Sequence, residues 1–462
     1  MAEKVPPIEE TCFWLARAPR EAEVRFAGRV ETDVAIVGGG LTGLWTALHL
    51  KALDARRDVV VVERGATASG ASGRNAGILT ETIDHSHALA LAHFGEAEAR
   101  RLATLGRENV RELLAFVEGR GIECDLERTG QLHVALNASQ RDDLARSLET
   151  ARGLGIEHYQ LLSEDETRAR IRSPRYLGAL FDPRAVVLDP VKLVRGLARE
   201  ARRAGVRLFD RTRVTELRTD GAGVRVRAEQ GEVKARRVVL ATSAYTHQLL
   251  PRLRFRFLPL YDYVLVSEPL RPAQRAVIGW SGRQAVTDGR AFFNYYRLTS
   301  DDRVLWGTSE AAYYRGNRVD ETCDHSERHY EELRRSFAWH FPEVDDLAFP
   351  YAWGGAICAT TRFTPFFGSA LQGRVHYGLG YTGHGLGTTH LAGKLLAHRA
   401  LDLPSPLFDL TLVRRKPFPY PPEPFRSLAI GAVTRALRRV DAGGRPGPLL
   451  RLLDAMGIGL SS

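Results

Sequence analysis

The run DVAIVGGGLTGLWTALHLKALDARRDVVVVE, Asp33 to Glu63, constrains the fold of this chain more than any other segment. Asp33–Val37 is short, apolar and β-branched at Val34, Ile36 and Val37, which predicts a buried strand. Leu41, Leu44, Ala47 and Leu48 then recur at helical spacing. The four valines within Asp58–Val62 suit a second strand, parallel to the first and covered on both faces. Strand, helix and strand make a βαβ unit. Between its first two elements lie Gly38, Gly39, Gly40, Leu41, Thr42 and Gly43, a GxGxxG pattern. Gly38 permits the tight turn, Gly40 lets a pyrophosphate approach the backbone, and Gly43 lets the helix pack closely on the sheet. The free amides and positive dipole end of the helix face the phosphates. Glu63 ends the second strand twenty residues after Gly43, where a carboxylate accepts hydrogen bonds from ribose hydroxyls. The unit therefore predicts an adenine dinucleotide site.

The following stretch, ERGATASGASGRNAG from Glu63 to Gly77, bears on which dinucleotide it is. An NAD site needs little beyond the acid. FAD is longer, and its ribityl chain and isoalloxazine ring must also lie against backbone. Small residues allow that approach, and their N–H groups can point at phosphate and flavin oxygens. Arg64, Gly70, Ala71, Ser72, Gly73, Arg74, Asn75, Ala76 and Gly77 are accordingly expected to line FAD, with Arg74 to Gly77 at the flavin end. A mobile linker would not need Arg74 and Asn75.

The rest of the chain alternates styles. Residues 88–149 read as mostly helical and charged, with a strand-like QLHVAL at Gln131–Leu136. Leu193–Ala204 is a predicted helix, followed by strands in VRLFD and EVKARRVVLATSAY. YDYVLVSE, FFNYYRL and RVLWG read as antiparallel strands between residues 258 and 307. Near Val375 the pattern returns to strand, glycine loop and helix. The fold class expected is α/β with an α+β insert: a Rossmann-like FAD-binding domain built from separated segments (1–87, 150–250 and 345–424). A substrate domain is inserted (88–149 and 251–344). Residues 425–462 form an amphipathic tail, with Phe425, Leu428, Ala429, Ala432, Ala436, Leu437 and Val440 on one helical face and Arg426, Arg435, Arg438 and Arg439 elsewhere. The tail is expected to dock on the FAD-binding domain, the other reading being a membrane surface.

A formal charge of +10 would suit nucleic acid, but the arginines are spread among Glu and Asp along the 462 residues, which argues for a solvated basic surface and against a nucleic-acid partner. The cysteines at 12, 124, 323 and 358 form no CxxC pair, so a reducing, cytoplasmic setting is expected. MAEKVPPIEE has no apolar core and does not read as a signal peptide, and no apolar run is long enough to span a bilayer. His85, His87 and His93 lack further ligands nearby in sequence, so no metal is expected.

GASGRNAG together with the GxGxxG unit resembles the D-amino-acid oxidase superfamily of FAD-dependent amine oxidoreductases, closest to its gamma-glutamylputrescine oxidoreductase-like, glycine oxidase and sarcosine oxidase branch. The likeness is collinear along nearly the whole chain. Cys12-Phe13-Trp14-Leu15 resembles the N-terminal element. FDRTRVTEL, with Val214, resembles the strand whose backbone holds adenine, and VVLATSAYT, with Ala241 and Thr242, a strand end at the cofactor, Ser243 replacing a Gly. YAWGGAICATTRFTPFFG and GLGYTGHGLGTTHLAGK resemble two late motifs. The resemblance implies that Gly383, His384, Gly385, Leu386 and Gly387 lie at the flavin, with a helix starting near Thr388 whose N-terminus stabilises the reduced ring. It leaves Cys358 with two readings, a covalent thioether to the flavin or a buried free thiol. It also shows departures: Leu305 and Trp306 stand where sarcosine oxidases have an oxygen-activating Lys, and Gly387 stands in the region of a carboxylate-binding Lys.

The expected activity is oxidation of the C–N bond of a primary or secondary amine or amino acid, by hydride transfer to FAD and hydrolysis of the imine, with oxygen or another acceptor taking the electrons. FAD carries the chemistry, so no obligatory base is named. His384, Tyr261, Tyr263, Tyr295, Tyr296 and Arg297 are candidates for the pocket, Arg297 for holding an acidic group. The alternatives are an NAD-dependent dehydrogenase on the same βαβ unit, a tRNA-modifying flavoenzyme of the same superfamily, and, more weakly, a flavin monooxygenase.

Overall fold

A computed structural model describes residues 6–19, 21–83 and 86–458. The predicted βαβ unit is present: the strand Gly28–Val37, the helix Leu41–Leu53 and the strand Val59–Val62. Its two strands pair in parallel, Val34 opposite Val59 and Val37 opposite Val62. The sheet runs, from one edge to the other, through Phe366–Ala370, Val375–Leu379, Gly231–Leu240, Gly28–Val37, Val59–Val62 and Arg207–Phe209. All neighbours along this path are parallel except the Phe366–Ala370 edge strand.

Both faces are covered, as continuous β-branched strands require. Val34, Ile36, Val59 and Val61 pack with residues of three helices, Leu41–Leu53, Pro190–Arg203 and Gly385–Ala400. Ala35, Val37, Val60 and Val62 pack instead with Val224, Val226 and Leu240, beneath the hairpin Val214–Asp220 and Gly223–Ala228. Gly393 brings the last helix onto the first, since a Cβ there would lie 2.6 Å from Trp45 Cβ.

The second sheet is built on a long strand, Leu258–Pro269, paired antiparallel with Tyr351–Ala359 on one side and with Arg303–Thr308 on the other. Beyond Arg303–Thr308 lie Asn294–Leu298, Ala285–Asp288, Gln131–Val134, Ala179–Asp182 and Gln160–Leu162. The sheet is mixed rather than purely antiparallel, because Ala285–Asp288 pairs in parallel with Gln131–Val134. Sheet membership differs from the sequence-based partition in two places. The strands at 160–162 and 179–182, grouped by sequence with the nucleotide sheet, pair in the second sheet, as does Tyr351–Ala359. Conversely the helix His87–Gly119, grouped with the insert, packs on Gly385–Ala400 through Asn109, whose amide donates to the Gly387 carbonyl at 2.9 Å. Short connections hide such crossings, because periodicity reports a strand but not its partner.

The first helix of the tail docks elsewhere than expected. The helix Phe425–Asp441 seats against the second-sheet region, not the nucleotide sheet. Asp441 accepts hydrogen bonds from the backbone amides of Ala291 and Phe292, and Arg438 bonds Glu310. Arg426, expected on the polar side, is buried and donates to Asn317 Oδ1 at 2.6 Å and to the Pro421 carbonyl at 2.9 Å. A guanidinium reaching buried acceptors overrides its place on a helical wheel. Phe425 and Leu428, read as the docking face, are instead exposed.

Candidate functional site

The glycine turn is as tight as its pattern requires. Gly38 has φ +110°, and a Cβ there would lie 2.5 Å from the Ala241 carbonyl oxygen. A Cβ on Gly43 would overlap the Gly38 carbonyl, so only glycine lets the helix start against the strand. The turn is pinned by Gly38 N–H to Val62 O and by Ala241 N–H to Val37 O, both 2.8 Å. Thr42 Oγ1 bonds Tyr381 Oη at 3.0 Å and ties the helix start to the second glycine loop.

Glu63 sits at the end of its strand as expected. Its carboxylate accepts the Gly39 amide at 2.7 Å and the Gly65 amide at 2.8 Å. Burial outweighs these bonds and raises its pKa above the ordinary carboxylate value. Arg64 is exposed, its guanidinium 4.3 Å from the centre of the Tyr245 ring. Val214 begins its strand just past Thr212, whose amide donates to the Glu63 carbonyl at 2.7 Å. Ala241 and Thr242, half-buried, follow the strand Gly231–Leu240 at the edge of the glycine turn.

The small-residue stretch lies against this turn. Ser72 Oγ accepts the Leu41 amide at 2.9 Å, and a Cβ on Gly40 would come within 2.6 Å of that oxygen. Gly70 and Ala71 are exposed, and Gly73 packs where a Cβ would overlap the Ala68 carbonyl. Beyond Ser72 the stretch is clamped. Trp353 Nε1 donates to the Arg74 carbonyl at 3.0 Å and Trp14 Nε1 to the Asn75 carbonyl at 3.1 Å. The N-terminal Cys12-Phe13-Trp14-Leu15 element thus acts as a brace for the loop. Asn75 accepts the Gly77 amide at 2.9 Å through Oδ1 and donates to the Ser72 carbonyl at 2.8 Å. Gly77 has φ +69°, and a Cβ there would overlap the Leu188 carbonyl.

Arg74 and Arg297 have structural partners. Arg74 is buried, with its guanidinium 2.8 Å from Asp324 Oδ2 and bonded to the Ser69 and Gly354 carbonyls. Arg297 is 2 % exposed and donates to the carbonyls of Ala76 (2.5 Å), Leu188 (2.6 Å) and Leu298 (3.2 Å). Burial lowers its pKa to about 10. It is a cross-brace between the second sheet and the loop, which pattern alone could not distinguish from a substrate anchor.

The tyrosines divide by strand parity. Tyr261, Tyr263 and Tyr296 alternate with Asp262 and Tyr295 along their strands and are fully buried in the core on the other face. Tyr261 donates to the Asp320 carbonyl, Tyr263 to the Cys323 carbonyl, and Tyr296 bonds Tyr176 and stacks on Trp306. Tyr295 turns the other way. Its hydroxyl donates to Asp262 Oδ2 at 2.6 Å. Gly355, opposite Asp262, has its Cβ direction toward Arg74 Cδ at 3.2 Å, so this face looks toward the dinucleotide stretch.

One row crosses that face: Trp353, Val264, Gly307, Tyr295, Thr287 and His133 are successive cross-strand partners. Tyr295 lies across Gly307, where a Cβ would strike its ring. Thr287 Oγ1 bonds His133 Nδ1 at 2.6 Å. Tyr295, Thr287, His133 and Asp262 are half-buried, as expected for a wall that a ligand covers. Burial lowers the His133 pKa, and nearby His384 opposes its protonation further.

The second glycine loop closes the cleft. Gly383 has φ +86°, His384 N–H donates to the Tyr381 carbonyl at 2.9 Å, and the helix begins at Gly385, three residues before Thr388. Leu386 is buried, and a Cβ on Gly387 would lie 3.0 Å from Leu79 Cδ1. Burial lowers the His384 pKa, favouring the neutral ring. Thr382 N–H donates to the Cys358 carbonyl at 3.1 Å, but the Cys358 thiol points to the opposite face, in the cluster with Phe366 and Tyr377. Burial raises its pKa, so it is a protonated thiol. Asp262 and His133 were missed from the sequence. The signal for Asp262 was an acid within YDYVLVSE at the position shared by inward-facing Val264 and Val266. His87 and His93 are described and His85 lies outside the described residues; among the described residues no group of three or more His, Cys, Asp or Glu could hold a metal ion.

The residues fit FAD on this geometry: a glycine cradle that a Cβ would fill, a helix start whose first-turn amides have no intrahelical partner, and an acid at the strand end.

Comparison with known proteins agrees. A family model described as "DAO: FAD dependent oxidoreductase" matches residues 33–399. Gamma-glutamylputrescine oxidoreductase of Escherichia coli is 33 % identical over 373 residues, covering 80 % of this chain and 83 % of that protein. Glycine oxidase of Geobacillus kaustophilus is 26 % identical over 373 residues, covering 79 % of this chain and 92 % of that protein. The crystal structure of glycine oxidase from Geobacillus kaustophilus superposes with a TM-score of 0.69 at 24 % identity, covering 84 % of this chain and 99 % of that one. No helix among the described residues is long and apolar enough to cross a membrane.

Proposed function

The chain belongs to the FAD-dependent oxidoreductase (DAO) family, and on that premise we propose that it oxidises the C–N bond of a primary or secondary amine or amino acid between its two sheets. FAD is its cofactor, and when bound it supplies a two-electron acceptor for hydride from the carbon next to the amine nitrogen. The observation that carries the reading is the cleft wall. In this reading Gly38–Gly43, Glu63 and the Gly70–Gly77 stretch cradle the dinucleotide, and the half-buried row of Tyr295, Thr287 and His133 faces its ring end.

In this reading Gly38, Gly40, Leu41, Thr42 and Gly43 hold the pyrophosphate through backbone, and Glu63 holds the adenosine ribose. Val214, Ala241 and Thr242 flank the adenosine end. Ser72 to Gly77 run beside the rest of the cofactor. The helix start at Gly385 faces the ring end, where its positive dipole favours added negative charge. The cofactor is held without a bond to Cys358. The second sheet excludes water, and the product imine is hydrolysed to a carbonyl compound and an amine or ammonia.

The test is anaerobic mixing of the yellow protein with a panel of amines while its absorbance at about 450 nm is followed. Bleaching by at least one primary or secondary amine is expected. No bleaching with any of them overturns the reading. Oxygen uptake after bleaching separates oxidase from dehydrogenase behaviour. Vesicle binding that is lost when residues after Pro424 are deleted would assign the tail a membrane contact.

A further inference from the structure

Asp262 is the residue on the cleft face that the fold does not account for. Along its strand, Val264 and Val266 share that face and are apolar. One carboxylate oxygen takes the Tyr295 hydroxyl, and the other, Oδ1, is buried with no hydrogen-bond partner among the described residues. Among the described residues no cation forms an ion pair with it, the nearby Arg74 being paired with Asp324. Burial raises its pKa to about 7, against the weaker opposing influence of the Tyr295 hydroxyl and the Tyr263 amide. A buried acceptor without a partner is costly, and a carboxylate without a counter-charge more so. Such a group suits a site that a cationic ligand completes.

The arginines that approach the same face point to the same ligand. Arg74 is neutralised by Asp324, and Arg297 is taken up by three backbone carbonyls. Neither is placed to pair with a substrate carboxylate. We propose that Asp262, oriented by Tyr295, anchors the ammonium group of the substrate, and that the site takes amines lacking a carboxylate on the reacting carbon in preference to α-amino acids.

This proposal rests on the reading that substrate meets FAD in this cleft. Tyr295 is the positioning residue: Gly307 beneath it lets the ring lie flat and aim its hydroxyl at Asp262. The carboxylate itself supplies the charge.

Its test uses binding without turnover. tert-Butylammonium has no hydrogen on the carbon bonded to nitrogen, so it cannot be oxidised. Pivalate has the same shape and the opposite charge. Each is titrated into the FAD-loaded protein and followed by the perturbation of the flavin spectrum. The wild type should bind tert-butylammonium at least about tenfold more tightly than pivalate, the ratio expected for one charge-assisted contact worth on the order of 1.4 kcal/mol. Asp262→Asn should remove that preference at unchanged flavin content, and Tyr295→Phe should weaken it less. Pivalate binding as tightly as the ammonium in the wild type overturns the proposal and needs no variant. So does an Asp262→Asn protein that keeps the preference. Either result can coexist with amine bleaching, so the ammonium anchor can fail while the amine-oxidoreductase reading stands.

Discussion

The guanidinium of Arg74 lies 2.8 Å from the carboxylate of Asp324, with both side chains about nine-tenths buried. This pair bolts the small-residue loop of the nucleotide domain to the second sheet, because Arg74 also bonds Gly354 within the strand Tyr351–Ala359. Removing one partner of a buried pair strands the other charge and costs about 3–5 kcal/mol. Asp324→Ala is therefore expected to lower the melting temperature sharply and loosen flavin, whereas replacing both residues by apolar ones recovers part of the loss. Thermal melting of the three proteins, read by circular dichroism and by released flavin fluorescence, checks this.

Gly43→Ala puts a methyl group into the Gly38 carbonyl. It is expected to give protein with little or no bound FAD. Gly119→Ala meets nothing within 4 Å and should remain yellow. The ratio of flavin to protein absorbance in the purified variants decides. A yellow Gly43→Ala protein would remove the glycine turn from the cofactor site.

Glu63 offers both oxygens as acceptors only when ionised, since protonation turns one into a donor, and burial raises its pKa above the ordinary value. Affinity for FAD should therefore be full at alkaline pH and fall as pH drops through that raised pKa, earlier than a surface carboxylate would give. Glu63→Ala should weaken FAD at least about tenfold, as loss of a charge-assisted bond predicts, and flatten the pH dependence. Quenching of FAD fluorescence by the flavin-free protein measures both.

Cys358 is a buried thiol on the strand face opposite that of Trp353 and Gly355. Acid denaturation should release all the flavin, and Cys358→Ala should retain it. Yellow colour remaining on the precipitated wild-type chain would show the thioether that this geometry argues against.

The raised pKa of Asp262 has a consequence for stability. Folding favours its protonated form, so its contribution is intact below the unfolded value near 3.8 and is lost as pH rises through about 7. Asp262→Asn should accordingly stabilise the ligand-free protein at about pH 8, by on the order of 1 kcal/mol or more, and much less at about pH 5. Melting curves at the two values test it; an equal shift at both would place the carboxylate in a more polar setting.

The dinucleotide unit was legible in the sequence because its physics is local. Gly38, Gly40 and Gly43 are required by a turn, a close approach and a helix contact within six residues, and Glu63 follows at the end of the next strand. The parallel sheet followed from its buried valines in the same way. The stretch from Gly70 to Gly77 could be read as backbone lying close to something, but its clamping by Trp14 and Trp353 could not, since those indoles come from distant segments.

Tertiary structure alone decided which polar side chains are structural. Arg297 and Tyr296 are adjacent in sequence and point to opposite faces, one bracing carbonyls and the other buried against Trp306. Strand parity says that neighbours diverge, but only the pairing of the strands says which face is the cleft. For the same reason the sequence determined a strand, glycine turn, helix, second strand and acid in the order that the proposed FAD site uses. The folded sheet determined that Tyr295, Asp262 and His133, from three separate strands, share one wall, because cross-strand register brings together residues that no local spacing relates.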